Sequence, residues 1–182
     1  MIYYSIPWNT DKNIGIYYNQ MMNLISDDDY VCFIDADAIF TTTFFGKQLE
    51  DIANQYKECG FFTCVTNRVG CSWQLSGNIQ SDNLQEHRDW GKKLYEEFYD
   101  SVTQIQDPVN ALSGVLILIS KKVWTDIGGF KESGMLGVDN ELYFKALSQN
   151  KIIYRMNGVY LYHWYRGGDM SRSLESKKHL LK

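Results

Sequence analysis

The sequence predicts a single α/β domain with a mainly parallel central sheet and helices on both faces. Short apolar segments rich in β-branched and aromatic residues, typical of buried strands, alternate with longer segments whose apolar residues recur at helical spacing. Such alternation favours parallel strands joined by crossover helices. The chain has 182 residues, enough for one sizeable core, and it shows no internal repeat and no clear domain boundary.

The first half of the chain predicts three strands and two helices. Residues 2–6 predict a strand, and Asn13 is placed to cap a helix that continues to residue 26. An apolar run that begins at Tyr30 predicts a buried strand, with Asp35 and Asp37 at its carboxyl end. A helix at 44–58, a strand at 60–65 and a long glycine-bearing loop at 66–80 follow.

The second half continues the alternation and ends in a basic tail. The predicted elements are a long helix at 81–105, an apolar strand at 111–119, a short helix at 120–127 that Ser120 caps, a helix at 138–149, and a hairpin-like pair of strands at 151–155 and 158–164. From Arg166 the chain is polar and basic, and two glycines make its start hinge-like. We therefore expect one domain over residues 1–165 and a basic, mobile tail over residues 166–182.

Composition and charge exclude several classes of function. A net charge of −4 without a long basic run argues against nucleic acid as the main partner. No apolar segment is long enough to span a bilayer, and the first residues lack the pattern of a signal peptide, so we expect a cytoplasmic protein. The four cysteines lack metal-ligand spacing, which predicts buried free thiols. His87 and His179 are expected at the surface.

Asp35 and Asp37 form the most informative pattern in the chain. A charge inside a core is costly unless it is paired or bound to a metal, and ligands of open α/β sheets bind outside the carboxyl ends of strands. Two carboxylates at that point therefore indicate a divalent cation that is shared with a phosphate group. The alternative is that one aspartate caps the next turn while the other is solvated.

Four stretches of the chain carry motifs in a fixed order. They are residues 13–19 (NIGIYYN), residues 33–37 (FIDAD), Ser113-Gly114 followed by residues 127–132 (IGGFKE) and 138–142 (VDNEL), and residues 160–163 (YLYH). Together they resemble the nucleotide-sugar-dependent glycosyltransferases of the GT-A fold, in particular the family 2 type, over nearly the whole chain. The resemblance implies a Rossmann-like GT-A domain that moves a sugar from a nucleoside-diphosphate sugar, with UDP favoured, to an acceptor hydroxyl.

The resemblance also implies roles for individual side chains. Asp37 matches the main metal ligand, Asp35 the residue that holds the ribose or a metal-bound water, and His163 the third ligand. An imidazole beside carboxylates favours Mn²⁺ over Mg²⁺. Asp139 matches the general base of an inverting displacement, and Glu141 is a second acidic candidate. The alternative for Asp139 is an ordinary cap at a helix N-terminus.

Further positions are assigned to the two substrates. On the donor side we expect Pro7, Trp8, Asp11, Asn19, Asp35, Ala36, Gly114 and Arg166. On the side of the acceptor, a carbohydrate or another hydroxyl compound, we expect Arg68, Trp73, Glu141 and Trp164. Basic residues after His163 would balance the charge of the diphosphate.

The chain departs from this family at its beginning. Only about 30 residues precede the Asp35 motif, whereas family members place a full β-α-β unit there, with an aspartate that reads uracil. We therefore expect a trimmed nucleotide pocket, so the identity of the nucleobase stays open. A trimmed domain also suggests completion by a partner chain, and a homo-oligomer stays open.

Two other classes of function remain as alternatives. A phosphatase of the haloacid-dehalogenase type also places two aspartates after an apolar strand and uses the first, here Asp35, as a nucleophile. That class places Thr or Val where this chain has Ile39, and its lysine and paired-acid motifs are not evident. The third class is a non-catalytic module that binds a nucleotide sugar. A sugar nucleotidyltransferase is disfavoured because no glycine-rich loop with Arg or Lys follows the first strand.

Overall fold

A computed structural model describes residues 1–8, 10–134 and 136–165 of the chain. Its strands are β1 (Ile2–Ser5), β2 (Tyr30–Ile34), β3 (Ala38–Phe40), β4 (Cys59–Thr66), β5 (Val102–Ile105), β6 (Leu116–Ser120) and β7 (Ile152–His163). Its helices are α1 (Ile14–Leu24), α2 (Phe45–Gln55), α3 (Leu84–Phe98), α4 (Lys121–Asp126) and α5 (Val138–Ser148), with a 3-10 turn at Ser72–Gln74. The proposed tail, including Arg166 and His179, lies outside the described residues.

The strands form one mixed sheet of seven strands in the order β1-β2-β6-β4-β7-β3, with β5 also paired to β7. β1 pairs with β2 in parallel, and β4 pairs with β7 in parallel. β6 lies between β2 and β4 and is antiparallel to both, so β1, β2, β4 and β7 all run in one direction. The predicted α/β class is thus confirmed, with β6, β3 and β5 running the opposite way.

Helices cover both faces of the sheet, as predicted. Successive strand residues point to opposite faces, so Phe61 and Phe62 of β4 belong to different cores. Met22 of α1 and Leu142 of α5 pack on the Phe61 face, and Leu49 of α2 packs on the Phe62 face. The four cysteines are buried and free, as the sequence indicated.

The predicted helix over residues 81–105 is confirmed as far as Phe98 and is wrong beyond it. The helix α3 ends at Phe98, and Val102–Ile105 forms strand β5 on the edge of β7. The end of α3 lies close against Gly158 of β7, where a Cβ would lie 2.3 Å from the carbonyl oxygen of Phe98. The chain turns at this close approach, and the Ser101 carbonyl accepts a bond from the Asn157 amide at 2.9 Å.

The predicted hairpin at residues 151–164 is also wrong, because these residues form the single strand β7. Its register against β4 shifts where Cys64 pairs with Met156 and the next residue, Val65, pairs with Tyr160. The intervening residues of β7, Asn157-Gly158-Val159, resemble a turn in sequence but form an irregularity within one strand. The predicted strand at 111–119 is shorter than expected and begins at Leu116.

His87 is buried, so its predicted surface position is wrong. It lies on the inner face of α3, with Nδ1 2.7 Å from the Tyr160 hydroxyl and Nε2 2.9 Å from the Ser81 carbonyl oxygen. Both ring nitrogens therefore have partners, which makes burial of a polar ring tolerable. In the part of the chain that the structure describes, no helix is long and apolar enough to cross a membrane.

Candidate metal centre

The predicted site forms at the edge of the sheet where four strands end. β1, β2, β4 and β7 run in the same direction, so their carboxyl ends meet there. Asp35 and Asp37 occupy the turn between β2 and β3, and His163 is the last residue of β7. β3 pairs with β7 so that Ala38 lies opposite His163, which brings the imidazole beside Asp37.

Asp35, Asp37 and His163 form a compact group of potential metal ligands. One ligand atom from each lies within 4.8 Å of the other two. Nε2 of His163 is 3.1 Å from Oδ1 of Asp37 and 3.9 Å from Oδ2 of Asp35. The imidazole is buried, while the two aspartate side chains are each about a third exposed. A buried nitrogen ligand with two accessible carboxylates suits a divalent transition metal.

The tautomer of His163 is set by its second ring nitrogen. Nδ1 lies 2.7 Å from the carbonyl oxygen of Arg68, which can only accept a hydrogen bond. Nδ1 therefore carries a proton, and in the neutral ring the lone pair of Nε2 faces the carboxylates. Metal-binding histidines commonly donate their other N–H to a carbonyl in this way.

Arg68 supports the position of His163 through its backbone carbonyl, and its place on the acceptor side stays a prediction. Its side chain is buried, donates to Asp82 at 2.5 Å and also bonds to the carbonyl of Gln80. The preceding residue, Asn67, accepts the backbone N–H of His163 at 2.8 Å. Both residues follow directly after β4, parallel to β7, so they reach His163 along the same edge.

Asp139 lies at the start of α5 and belongs to the same acidic site. Its Oδ2 accepts the Gly114 amide at 2.8 Å, and its Oδ1 accepts the Asn140 amide at 2.9 Å. Burial raises the pKa of Asp139, although these amide bonds oppose the change. Burial also raises the pKa of Asp35, with smaller contributions from Asp37 and Asp139, while His163 lowers it. A carboxylate with a raised pKa is a better proton acceptor.

Gly114 reaches this site because β6 runs antiparallel to β2. Ile34 pairs with Leu116, so the residues before β6 lie beside the end of β2. The approach is close, since a Cβ on Gly114 would lie 3.2 Å from Cβ of Asp139. Its amide therefore orients the predicted base, and the predicted donor contact of Gly114 is not tested.

Asn19 was predicted on the donor side, but the structure uses its side chain to hold the loop before α5. Its Nδ2 donates to the Phe130 carbonyl at 2.9 Å and to Glu132 at 2.7 Å. Its Oδ1 accepts the Phe130 amide and the Trp124 indole N–H, both at 2.9 Å. These four bonds occupy the amide fully, which leaves it no bonding capacity for a ligand.

The remaining donor-side residues follow β1 or β2. Pro7 and Trp8 come after β1, which is parallel to β2, so they lie at the edge that carries Asp35. The Trp8 side chain is 73% exposed. Ala36 is exposed between the two aspartates, and Asp11 is exposed before α1. This placement is compatible with a nucleotide at the edge.

Two of the predicted acceptor residues have partners other than the three candidate metal ligands. Trp73 is half-buried, donates to the Asn110 carbonyl at 3.0 Å and packs near Tyr143. Glu141 is paired with Lys145 at 2.9 Å on α5. By contrast, Trp164 is half-exposed, and its amide donates to the Asp37 carbonyl at 2.9 Å.

The sequence assigned no role in the site to Tyr18 of α1, although it lies in the motif at residues 13–19. Its ring packs on Phe33 and Phe130, with centroids 4.5 and 4.6 Å away. Burial raises the pKa of its hydroxyl, and the charges of Asp35 and Asp139 raise it further. The sequence feature that could have pointed to Tyr18 is its position immediately before Asn19 in the motif at residues 13–19.

Comparison with models of known protein families and with the curated proteins finds no match for this chain.

Proposed function

We propose that the protein is a metal-dependent glycosyltransferase that moves a sugar from a nucleoside-diphosphate sugar to an acceptor hydroxyl. The observation that carries this proposal is the group of Asp35, Asp37 and His163 at the carboxyl edge of the sheet. A diphosphate leaving group develops negative charge, and a divalent cation held by these three residues would stabilise it. The mixed nitrogen and oxygen ligand set favours Mn²⁺, with Mg²⁺ as the alternative.

Asp139 is the proposed general base. The acceptor hydroxyl gives its proton to Asp139, its oxygen forms a bond to the anomeric carbon of the donor, and the bond from that carbon to the diphosphate breaks. A single displacement of this kind inverts the configuration. The Gly114 amide at 2.8 Å and the raised pKa of Asp139 both support this role.

The donor is proposed to be UDP-linked and to lie along the edge from Trp8 to Asp37. The exposed Trp8 indole offers an apolar face for a nucleobase, and Pro7 and Asp11 flank it in sequence. The acceptor is a carbohydrate or another hydroxyl compound.

A screen for turnover tests this proposal. Nucleoside-diphosphate sugars with UDP or GDP would be incubated with the protein and Mn²⁺, and release of the nucleoside diphosphate would be measured. We expect release from a UDP-sugar that stops when EDTA removes the metal, and loss of release in Asp139→Asn. Asp28→Asn, at an exposed aspartate in the turn before β2, is the matched control.

The same screen separates the alternatives. Phosphate release from p-nitrophenyl phosphate that depends on Asp35 would contradict the proposal and favour a phosphatase. Metal-dependent binding of UDP without turnover of any donor would favour a non-catalytic binding module.

A further inference from the structure

A cavity of about 470 Å³ opens beside Asp37, on the side of Trp164. Its walls come from the turn after β2, from β3, from the end of β7 and from the residues at the start of α3. The residues that carry the argument are Asp37, Ile39, Asp82, Leu84, Tyr162 and Trp164. The size is in the range of pockets that hold small molecules.

One part of the wall is an exposed apolar surface. Ile39, Leu84 and Trp164 are each about half exposed. Because the three side chains share one cavity, they offer a continuous apolar surface that includes the flat indole of Trp164. A ligand with an apolar face would remove this surface from water.

The polar part of the wall centres on Asp82. Its Oδ1 accepts from Arg68 at 2.5 Å and from the Tyr162 hydroxyl at 2.9 Å, and these two bonds hold the pKa of Asp82 below its usual range. Both bonds go to the same oxygen, so Oδ2 retains acceptor capacity. The side chain is 53% exposed, and solvent or a ligand can reach it.

The charge of the wall selects against anions. Its described residues include the carboxylates of Asp37 and Asp82 and no cationic side chain. The nearby guanidinium of Arg68 is 5% exposed and already engaged by Asp82. A phosphate or carboxylate ligand would meet like charge, whereas a neutral ligand that donates hydrogen bonds would not.

We propose that this cavity binds a neutral pyranose ring, with the apolar face of the sugar against Trp164 and a hydroxyl donated to Oδ2 of Asp82. Pyranoses combine an apolar face with hydroxyl donors at the rim, which matches the two parts of the wall. Its use as the acceptor subsite rests on the proposed function, because the cavity adjoins Asp37. Binding of the sugar in this cavity does not depend on the proposed function.

Saturation-transfer NMR tests the proposal directly. The probes are the methyl glycosides of glucose, galactose, mannose and N-acetylglucosamine, each added to the full chain in EDTA without nucleotide. We expect saturation transfer to at least one probe in the wild type, and roughly fivefold weaker binding or more in Trp164→Ala. Leu24→Ala, which removes an exposed apolar side chain of α1 away from the cavity, is the matched control and should bind as the wild type does.

A charge comparison adds a second, independent readout. Methyl glucuronide differs from methyl glucoside by one carboxylate and should bind more weakly. Asp82→Asn is not used, because it breaks the ion pair with buried Arg68 and would disturb the fold of the loop. The second cavity variant is Leu84→Ala, which should also weaken binding of the sugar.

Three results would overturn the proposal: no probe binds the wild type, Trp164→Ala binds as the wild type does, or the glucuronide binds as well as the glucoside. The experiment contains neither metal nor nucleotide. If no sugar binds but UDP binds with Mn²⁺, only the sugar site is rejected. If a sugar binds but UDP does not bind with Mn²⁺, only the proposed function is rejected.

Discussion

Nε2 of His163 lies 3.1 Å from Oδ1 of Asp37, although the bond from Nδ1 to the Arg68 carbonyl leaves Nε2 as an acceptor in the neutral ring. Two acceptors at this separation repel each other unless a proton or a cation lies between them. A divalent cation resolves the conflict for His163, Asp37 and the neighbouring Asp35 together. This relationship is the physical basis of the proposed metal centre.

Removing the imidazole should weaken Mn²⁺ binding. We expect His163→Gln to lower the affinity for Mn²⁺ at least about tenfold. Losing only a residue that hydrogen-bonds to a metal ligand already costs about that much, and His163 is proposed to be a ligand itself. The measurement is a titration followed by the electron paramagnetic resonance signal of free Mn²⁺. His87→Gln is the matched control, because His87 is equally buried but lies on α3 with partners of its own. Equal affinity in both variants would contradict the assignment of His163.

The stability of the metal-free protein should depend on pH through Asp35. Burial raises the pKa of Asp35 in the folded state. At a pH between the ordinary aspartate pKa and this raised pKa, Asp35 is ionised in the unfolded chain but still protonated in the folded one. The folded state then binds more protons, and the free energy of unfolding falls as the pH rises toward the raised pKa. Mn²⁺ should bind more tightly over the same interval because it requires the ionised carboxylate.

Urea unfolding in EDTA across this pH range measures the effect of Asp35. Asp35→Asn cannot ionise and should flatten the pH profile, while Asp28→Asn should leave the wild-type slope. Two results together would contradict this expectation: the free energy of unfolding of the wild type rises with pH in this interval, and its slope against pH is the same in Asp35→Asn.

Asp139→Asn should lower the rate of transfer without affecting binding of metal or nucleotide. Asparagine keeps an oxygen for the Gly114 amide but cannot accept the proton of the acceptor, so we expect kcat to fall by about 10²–10⁴-fold. Steady-state kinetics with a UDP-sugar and calorimetry with UDP would separate the two effects. A parallel loss of UDP affinity would instead assign Asp139 to donor binding.

Asn19→Ala should destabilise the fold. The change removes four bonds to the loop at Phe130, to Glu132 and to the Trp124 indole, leaving partly buried groups without partners. We expect the free energy of unfolding to drop by about 1–3 kcal/mol or more. Asn23→Ala, at an exposed position on the same helix, is the control. Equal stability of the two variants would contradict the structural role of Asn19.

The sequence predicted those parts of the fold and site that local patterns determine. Asn13 and Ser120 cap helices where cap preference places them, and Asp35 and Asp37 follow an apolar strand. The three candidate metal ligands were predicted from ordered motifs, and the structure brings one ligand atom of each within 4.8 Å of the other two.

The errors concern contacts between distant segments. Nothing local shows that the Arg68 carbonyl faces His163, or that Asn19 binds a loop more than a hundred residues further along the chain. Likewise, nothing local shows that residues 102–105 pair with β7, or that the buried His87 bonds to Tyr160 of that strand. Tertiary contacts of this kind override helical spacing and polarity.

The most direct test of the central claim is calorimetric titration of UDP, with and without Mn²⁺, into the wild type and Asp37→Ala. The account predicts that UDP binds the wild type only with Mn²⁺, and that Asp37→Ala abolishes this binding while Asp28→Ala does not. UDP binding that is equal with and without Mn²⁺, or that survives Asp37→Ala, would contradict a metal-diphosphate site at Asp35, Asp37 and His163.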